Sequence, residues 1–218
     1  MDLLLQRVFD AVTNGSTYAL LAVAMVLIFK ATTLINFAQG EQAMLGAFVV
    51  LQLWDWGIPM WGAVVIGMCF SGILAAFLER TLIRKFDPTD HLPLVIITLG
   101  LFLVINAIAA IIWRFDPKSF PELFPSGNAF AINNVRLSWY TIFAFTSCVI
   151  VLFVLQTLLT KTKIGLAFRA VSSNIESSRL SGIKIGTTLQ FGWVLAAAAG
   201  TLGASIYAAN PVLQIEPS

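Results

Sequence analysis

The 218-residue chain is 58% hydrophobic and 11% charged, with a formal charge of +2 at pH 7 and a mean hydropathy of +0.87. Soluble domains carry about 25% charged residues, so a chain solvated on every side is excluded, whatever domain count its length would allow. The 13 lysines and arginines fall mainly between apolar runs, which leaves no nucleic-acid-binding patch. Cys69 and Cys148 lie inside apolar stretches without a Cys-x-x-Cys pair and read as buried small hydrophobes. His91 has no second imidazole or thiol nearby, so neither a metal site nor a cofactor is expected.

The start, Met1-Asp2-Leu3-Leu4-Leu5, has no basic flank ahead of its apolar core, and a retained first span is expected rather than a cleaved leader. A span needs about 20 mostly apolar residues. Six runs qualify in chain order: 8–29, 35–54, 61–82, 92–112, 139–159 and 189–210. Backbone groups in lipid must be satisfied within the segment, so these are helices, and the alternation of barrel strands is missing. The fold class expected is all-α, a polytopic transmembrane helical bundle of about six spans.

Orientation follows from the cations. With the N-terminus outside, the inner loops hold Lys30, Arg80, Arg84, Lys85, Lys161, Lys163, Arg169, Arg179 and Lys184, and the outer ones Arg7, Arg114, Lys118 and Arg136, nine against four. Trp54, Trp56, Trp61, Trp113 and Trp139 then sit near outer ends, as an interfacial aromatic belt would. Residues 113–138, with Pro117, Pro121, Pro125 and Gly127, predict an irregular outer loop with at most a short surface helix. Residues 160–188 are polar and proline-free, and predict short helices on the inner side.

Three stretches stand out. Asn36, Gln39, Glu41 and Gln42 fall within about two turns near the inner end of the second run, with Gly40 and Gly46 permitting close backbone approach or a local break. An ionisable group at membrane depth costs several kcal/mol and usually faces a bundle interior or water. Lining of a substrate path and simple interfacial capping by Glu41 both stay open. In the inner loop, Asn174 caps a short helix that begins with Ile175 and Glu176 and ends at Gly182. Glu176 and Arg179 are spaced to pair, and Leu180 and Ile183 offer an apolar edge. Such a helix needs a packing partner, either a docked protein or the bilayer surface. Finally, Ala196, Gly200 and Ala204 at i, i+4 and i+8 make a face for helix packing. Thr98 and Asn106 of the fourth run are weaker candidates for a path.

No phosphate-binding loop occurs, since Gly182-Ile183-Lys184-Ile185-Gly186-Thr187-Thr188 has the wrong spacing, and no zinc-protease motif or serine elbow is present. Carboxylates for an ion-coupled relay are also sparse. An enzyme is not expected, and any energy must come from a partner.

The run Gly15-Ser16-Thr17-Tyr18-Ala19-Leu20-Leu21-Ala22, then Leu34-Ile35-Asn36-Phe37-Ala38-Gln39-Gly40-Glu41 with Met44-Leu45-Gly46-Ala47, resembles the permease subunits of branched-chain amino acid ABC importers. Gly165-Leu166-Ala167-Phe168-Arg169-Ala170-Val171, followed by Asn174 and Arg179-Leu180-Ser181-Gly182-Ile183, is similar to the same family. Glu176-Ser177-Ser178 and Gly182 reproduce the spacing of the Glu-Ala-Ala, three residues, Gly segment by which importer permeases dock on their ATPases, with serines for alanines. The hydrophobic-and-proline tail of other importer families is replaced by Gly192-Trp193-Val194-Leu195. The resemblance implies a multi-pass inner-membrane protein, with residues 1–218 as one transmembrane permease domain and 160–188 as its cytoplasmic coupling loop. It also implies a second homologous permease, two cytoplasmic ATPases, a periplasmic binding protein, and lipid around the spans. Family chains run longer, to about eight spans, so this one is expected to be shortened at its C-terminal end. Asn174, Glu176, Arg179, Leu180 and Gly182 would then make the ATPase contact, and Asn36, Gln39, Glu41, Thr98 and Asn106 the substrate path. Gly40, Gly46, Ala196, Gly200 and Ala204 would serve packing. Urea or a short amide is an alternative substrate; an ion-coupled secondary transporter or a non-transporting scaffold is an alternative function.

Overall fold

In an apolar medium the helix is the cheapest way to satisfy a backbone, and the computed structural model is built on that rule. It describes residues 2–32, 35–86, 91–114, 118–125, 127–132 and 135–210. The helices are α1 (Asp2–Thr32), α2 (Gln39–Asp55), α3 (Met60–Thr81), α4 (His91–Trp113), α5 (Trp139–Lys161), α6 (Lys163–Ser173), α7 (Ile175–Leu180) and α8 (Ile185–Ala208). A 3₁₀ turn, Ile83–Lys85, follows α3.

Among the described residues five helices (α1, α3, α4, α5 and α8) are long and apolar enough to cross a membrane, which makes the chain a multi-pass membrane protein. The sixth expected span departs from the prediction. α2 has only 17 residues and starts at Gln39, not at residue 35. At 1.5 Å per residue it reaches about 26 Å, short of a hydrocarbon core of about 30 Å.

α8 is the centre of the bundle. Just over half of its apolar window, 56%, is buried, against 17% for α5. Its small residues explain this, because each lets a neighbouring helix come near. A side chain added at Gly203 would sit 3.0 Å from Leu20 of α1, and one at Gly72 of α3 would sit 3.1 Å from Val194. On α2, a Cβ at Gly46 would lie 2.1 Å from Thr201 Oγ1 and 2.5 Å from Ser71 Oγ, so α2, α3 and α8 meet there at backbone distance. Core residues Leu20, Val50, Ala63, Val64, Ala144 and Ile206 fill one end of the bundle, and Ala24, Ile28, Ala75, Trp193, Ala196 and Ala197 the other.

At the end away from α7, the expected irregular loop contains an antiparallel ribbon, β1 (Asn128–Ile132) with β2 (Val135–Ser138). The all-α expectation gains this one element. Two short runs rich in apolar and β-branched residues, 128–132 and 135–138, flank Asn133-Asn134 in the sequence, a hairpin signal that the prolines upstream obscured. The ribbon is tied to α1 through Arg136 N–H, which donates to Gln6 Oε1 at 2.8 Å. Ser138 Oγ then caps α5 by accepting from Thr141 N–H at 3.2 Å. Trp54, Trp56, Trp61 and Trp139 are exposed near this end, whereas Trp113 is buried: its ring stacks on Phe48 and its Nε1 donates to Gln52 Oε1 at 3.2 Å. Of the two cysteines, Cys148 is buried but Cys69 faces out of the bundle, where a thiol is as compatible with lipid as with a core.

Two glycines of one helix therefore carry opposite expectations. Gly46→Ala gains up to about 1 kcal/mol of helix propensity but forces overpacking worth about 1–3 kcal/mol, and its melting temperature in detergent should fall. Gly40→Ala meets nothing within 4 Å and should be neutral or slightly stabilising. Equal melting of the two variants would contradict this packing.

Candidate functional site

The break between α1 and α2 lies deep in the bundle. Ala24 of α1, Gln39 and Ala43 of α2, and Gly200 of α8 meet at one level: a Cβ at Gly200 would lie 2.8 Å from Gln39 Nε2, 3.3 Å from Ala43 and 3.8 Å from Ala24. From Ala24, α1 runs eight residues further to Thr32, about 12 Å along its axis. α2 thus begins level with Ala24, part-way up the bundle and not at the level of Thr32. Non-helical backbone at such depth persists only inside protein or beside water. Here Asn36, Ala38 and Gln39 are at most 2% exposed.

Polar side chains of the break do the work of the missing helical turns. Asn36 Oδ1 accepts from Ala38 N–H at 3.0 Å, and Asn36 O accepts from Gln39 N–H at 3.1 Å. Gln39 Nε2 donates to the carbonyl of Ala196 at 3.1 Å, which fastens the start of α2 to the middle of α8. The N–H groups of Gly40 and Glu41, in the first turn of α2, have no partner among the described residues. Gln42, 3% exposed, is buried, and among the described residues both its amide atoms lack a partner, as do Ser71 Oγ and Thr201 Oγ1 beside Gly46.

The residues expected to form one path separate onto two faces. Asn36 and Gln39 face the interior. Glu41 and Asn106 lie at the surface between α2 and α4, where Asn106 Nδ2 donates to Glu41 Oε2 at 3.3 Å. This polar pair interrupts an otherwise apolar face that includes Phe102, Leu103, Val104 and Ile108. Thr98 is buried in α4 and donates to the Val95 carbonyl at 3.0 Å. Among the packing candidates, Gly46, Ala196 and Gly200 sit at close crossings. Gly40 has open space beside it, and Gly203 stands at a close crossing one residue before half-buried Ala204.

The loop between α5 and α8 folds as α6 and α7. Asn174 Oδ1 accepts from Ser177 N–H at 2.8 Å and caps α7. Gly182 (φ +78°) closes it, with Gly182 N–H bonded to Arg179 O and Ile183 N–H to Ser178 O, each at 3.0 Å. A positive φ here favours glycine. The apolar edge divides: Ile183 packs with Phe168, Val171, Ile175 and Leu189, while Leu180 projects outward at 91% exposure. Among the described residues Glu176 and Arg179 make no ion pair. Instead Arg179 turns toward a cavity of about 240 Å³ that it shares with Thr32, Glu79, Arg84, Gly186 and Trp193.

That cavity adjoins a feature that span-by-span reading missed. Glu79, in the last turn of α3, is 2% exposed and accepts from Arg84 Nε at 3.1 Å and from Arg84 Nη2 at 2.6 Å. Arg84 Nη2 also donates to the Gly186 carbonyl at 2.9 Å. This is the one ion pair among the described residues. A carboxylate five residues ahead of an arginine at the end of a span was the available signal; counting Arg84 only as an orientation charge hid it.

Replacing Asn174 by Ala should cost about 1 kcal/mol at the cap, enough to fray a six-residue helix. Trypsin should then cut after Arg179 faster than in the parent chain, with the cut located by mass spectrometry. An unchanged rate would contradict the capping role.

The described arrangement combines membrane-length helices, a polar break before α2 and a projecting α7. Residues 7–216 match the family model described as branched-chain amino acid transport system / permease component. The high-affinity branched-chain amino acid transport system permease protein BraD of Pseudomonas aeruginosa is 24% identical over 212 residues, spanning 92% of this chain and 69% of that one. LivH of Escherichia coli K12, of the same description, is 27% identical over 229 residues, 96% of this chain and 73% of its own. A probable branched-chain amino acid transport permease protein, LivH of Methanocaldococcus jannaschii, is 30% identical over 206 residues, covering 88% and 63% respectively. No solved structure matches. The chain belongs to the family of branched-chain amino acid transport system permease components.

Proposed function

We propose that the protein is the transmembrane permease subunit of an ATP-binding cassette importer that carries branched-chain or related amino acids inward across a bacterial-type inner membrane. In this reading the N-terminus lies outside and the α7 end faces the cytoplasm. A second homologous permease completes the membrane unit, two ATPases dock below it, and a periplasmic protein delivers substrate.

Family membership carries the transport class, and one observation carries the coupling: α7 is capped at both ends yet leaves Leu180, 91% exposed, pointing away from the bundle. An apolar side chain so presented gains roughly 1.5–3 kcal/mol when buried in a partner, against roughly 0.5–1 kcal/mol of lost rotamer freedom. ATP-driven closure of the ATPase pair would push α7 and the rest of residues 160–188, and rigid-body motion would switch the bundle between outward-open and inward-open arrangements. The substrate would pass near the break before α2. Glu41 and Asn106 place polar atoms on a membrane-depth apolar face, which is favourable only against water or protein. Asn36, Gln39 and Thr98 line the adjoining interior.

Gentle-detergent purification from the native membrane should recover nucleotide-binding subunits with the parent chain and lose them with Leu180→Glu or Gly182→Trp. Their absence from both preparations would refute the coupling role of α7. In the assembled complex, Ala at Asn36, Gln39 or Glu41 should lower uptake about tenfold or more, the scale of about 1.4 kcal/mol in the barrier. Uptake unchanged in all three would remove these residues from the path.

A further inference from the structure

We infer that the Glu79–Arg84–Gly186 clamp transmits the movement of α7 into the membrane-spanning helices, with Arg84 as its positioning residue. This rests on the reading of α7 as the ATPase dock. Beyond α7 the chain turns at Gly182 and enters α8 at Ile185. Gly186 is thus the second residue of the helix that α7 would pull, and its carbonyl is where Arg84 takes hold, at 2.9 Å.

The glycine is part of the fitting. A Cβ at Gly186 would sit 3.1 Å from both Cζ and Nε of Arg84, so the guanidinium lies against bare backbone. On the other side the same guanidinium grips both oxygens of buried Glu79, on α3. One turn along, Gln190 Nε2 donates to the Ala76 carbonyl at 2.9 Å and forms a second rung between α8 and α3. A carboxylate buried to this degree holds its partner firmly, because leaving it unpaired is costly. The α3 end, the 3₁₀ turn and the first turn of α8 therefore travel together.

The shared cavity gives this unit room. Arg179 of α7 lines it together with Glu79, Arg84 and Gly186, so α7 and the clamp border one space. Loss of the bridge to Gly186, with Glu79 still neutralised, should leave a folded protein whose ATP hydrolysis no longer drives the bundle fully.

Arg84→Lys makes that distinction. Lysine brings a compact charge to Glu79 but lacks the planar fork that serves two groups at once. Gly186→Ala leaves both charges in place and presses on the guanidinium from the α8 side. The complex, purified with its ATPases and reconstituted in proteoliposomes, would be assayed for leucine uptake and ATP hydrolysis on the same preparation. Both variants should assemble and hydrolyse ATP at near-parent rates, with uptake per ATP reduced about fivefold or more, the low end of a coupling free energy. Arg80→Lys, exposed at the same helix end, should match the parent. Parent-like uptake per ATP in Arg84→Lys and Gly186→Ala would overturn the inference. If Arg84→Lys does not assemble, Gly186→Ala decides alone. A parent preparation that lacks ATPases, or takes up leucine without ATP, sinks the reading of α7 itself and not merely the clamp.

Discussion

The membrane-spanning bundle is governed by one constraint: backbone N–H and C=O groups at membrane depth are costly to leave unpaired away from water. Long helices meet it by themselves. The break before α2 meets it with side chains, Asn36 standing in for a helical carbonyl and Gln39 reaching across to the carbonyl of Ala196. These bonds hold a short helix open at its N-terminal turn inside the bundle, which a straight apolar span could not offer. The polar face presented by Glu41 and Asn106 begins at that turn. A conduit needs such interruptions, and a bundle tolerates them only where the surrounding protein supplies partners.

α8 supplies the long-range partner, the Ala196 carbonyl. Its alanines and glycines let α1, α2 and α3 approach to backbone distance, so its carbonyls become reachable by Gln39 from one side and Arg84 from another. In lipid there is little hydrophobic drive between helices, and close packing and hydrogen bonds replace it. Among the described residues, the side-chain oxygens of Ser71 and Thr201 around Gly46, and the amide of Gln42, lack hydrogen-bond partners. Unpaired buried groups of this kind cost about 1–3 kcal/mol each, a cost the small-residue crossing carries in this arrangement.

Much was legible in the sequence because hydropathy and capping are local. The runs that became α1, α3, α4, α5 and α8 follow directly from apolar length, and the turn chemistry of Asn174 and Gly182 marks both ends of α7. Non-local features were not legible. Residues 35–38 are apolar enough to extend a span, and the bonds that accompany the shorter helix include the reach of Gln39 to α8, 157 residues away. Glu176 and Arg179 have the spacing to pair, but among the described residues they do not, and Arg179 lines the cavity beside Glu79 and Arg84. The clamp joins a helix end, a turn and a distant helix start, and no window on the sequence contains all three. The ribbon β1–β2 hid behind prolines whose loop signal was sound for their own neighbourhood.

The central claim is that helices without an energy source of their own are driven through α7 by ATP. The most direct measurement is uptake of labelled leucine into proteoliposomes that hold the complex purified on this chain, with its binding protein outside and ATP inside. Accumulation that requires ATP and the binding protein, and that persists when ion gradients are collapsed, is the predicted result. Accumulation that follows an ion gradient and ignores ATP would contradict it.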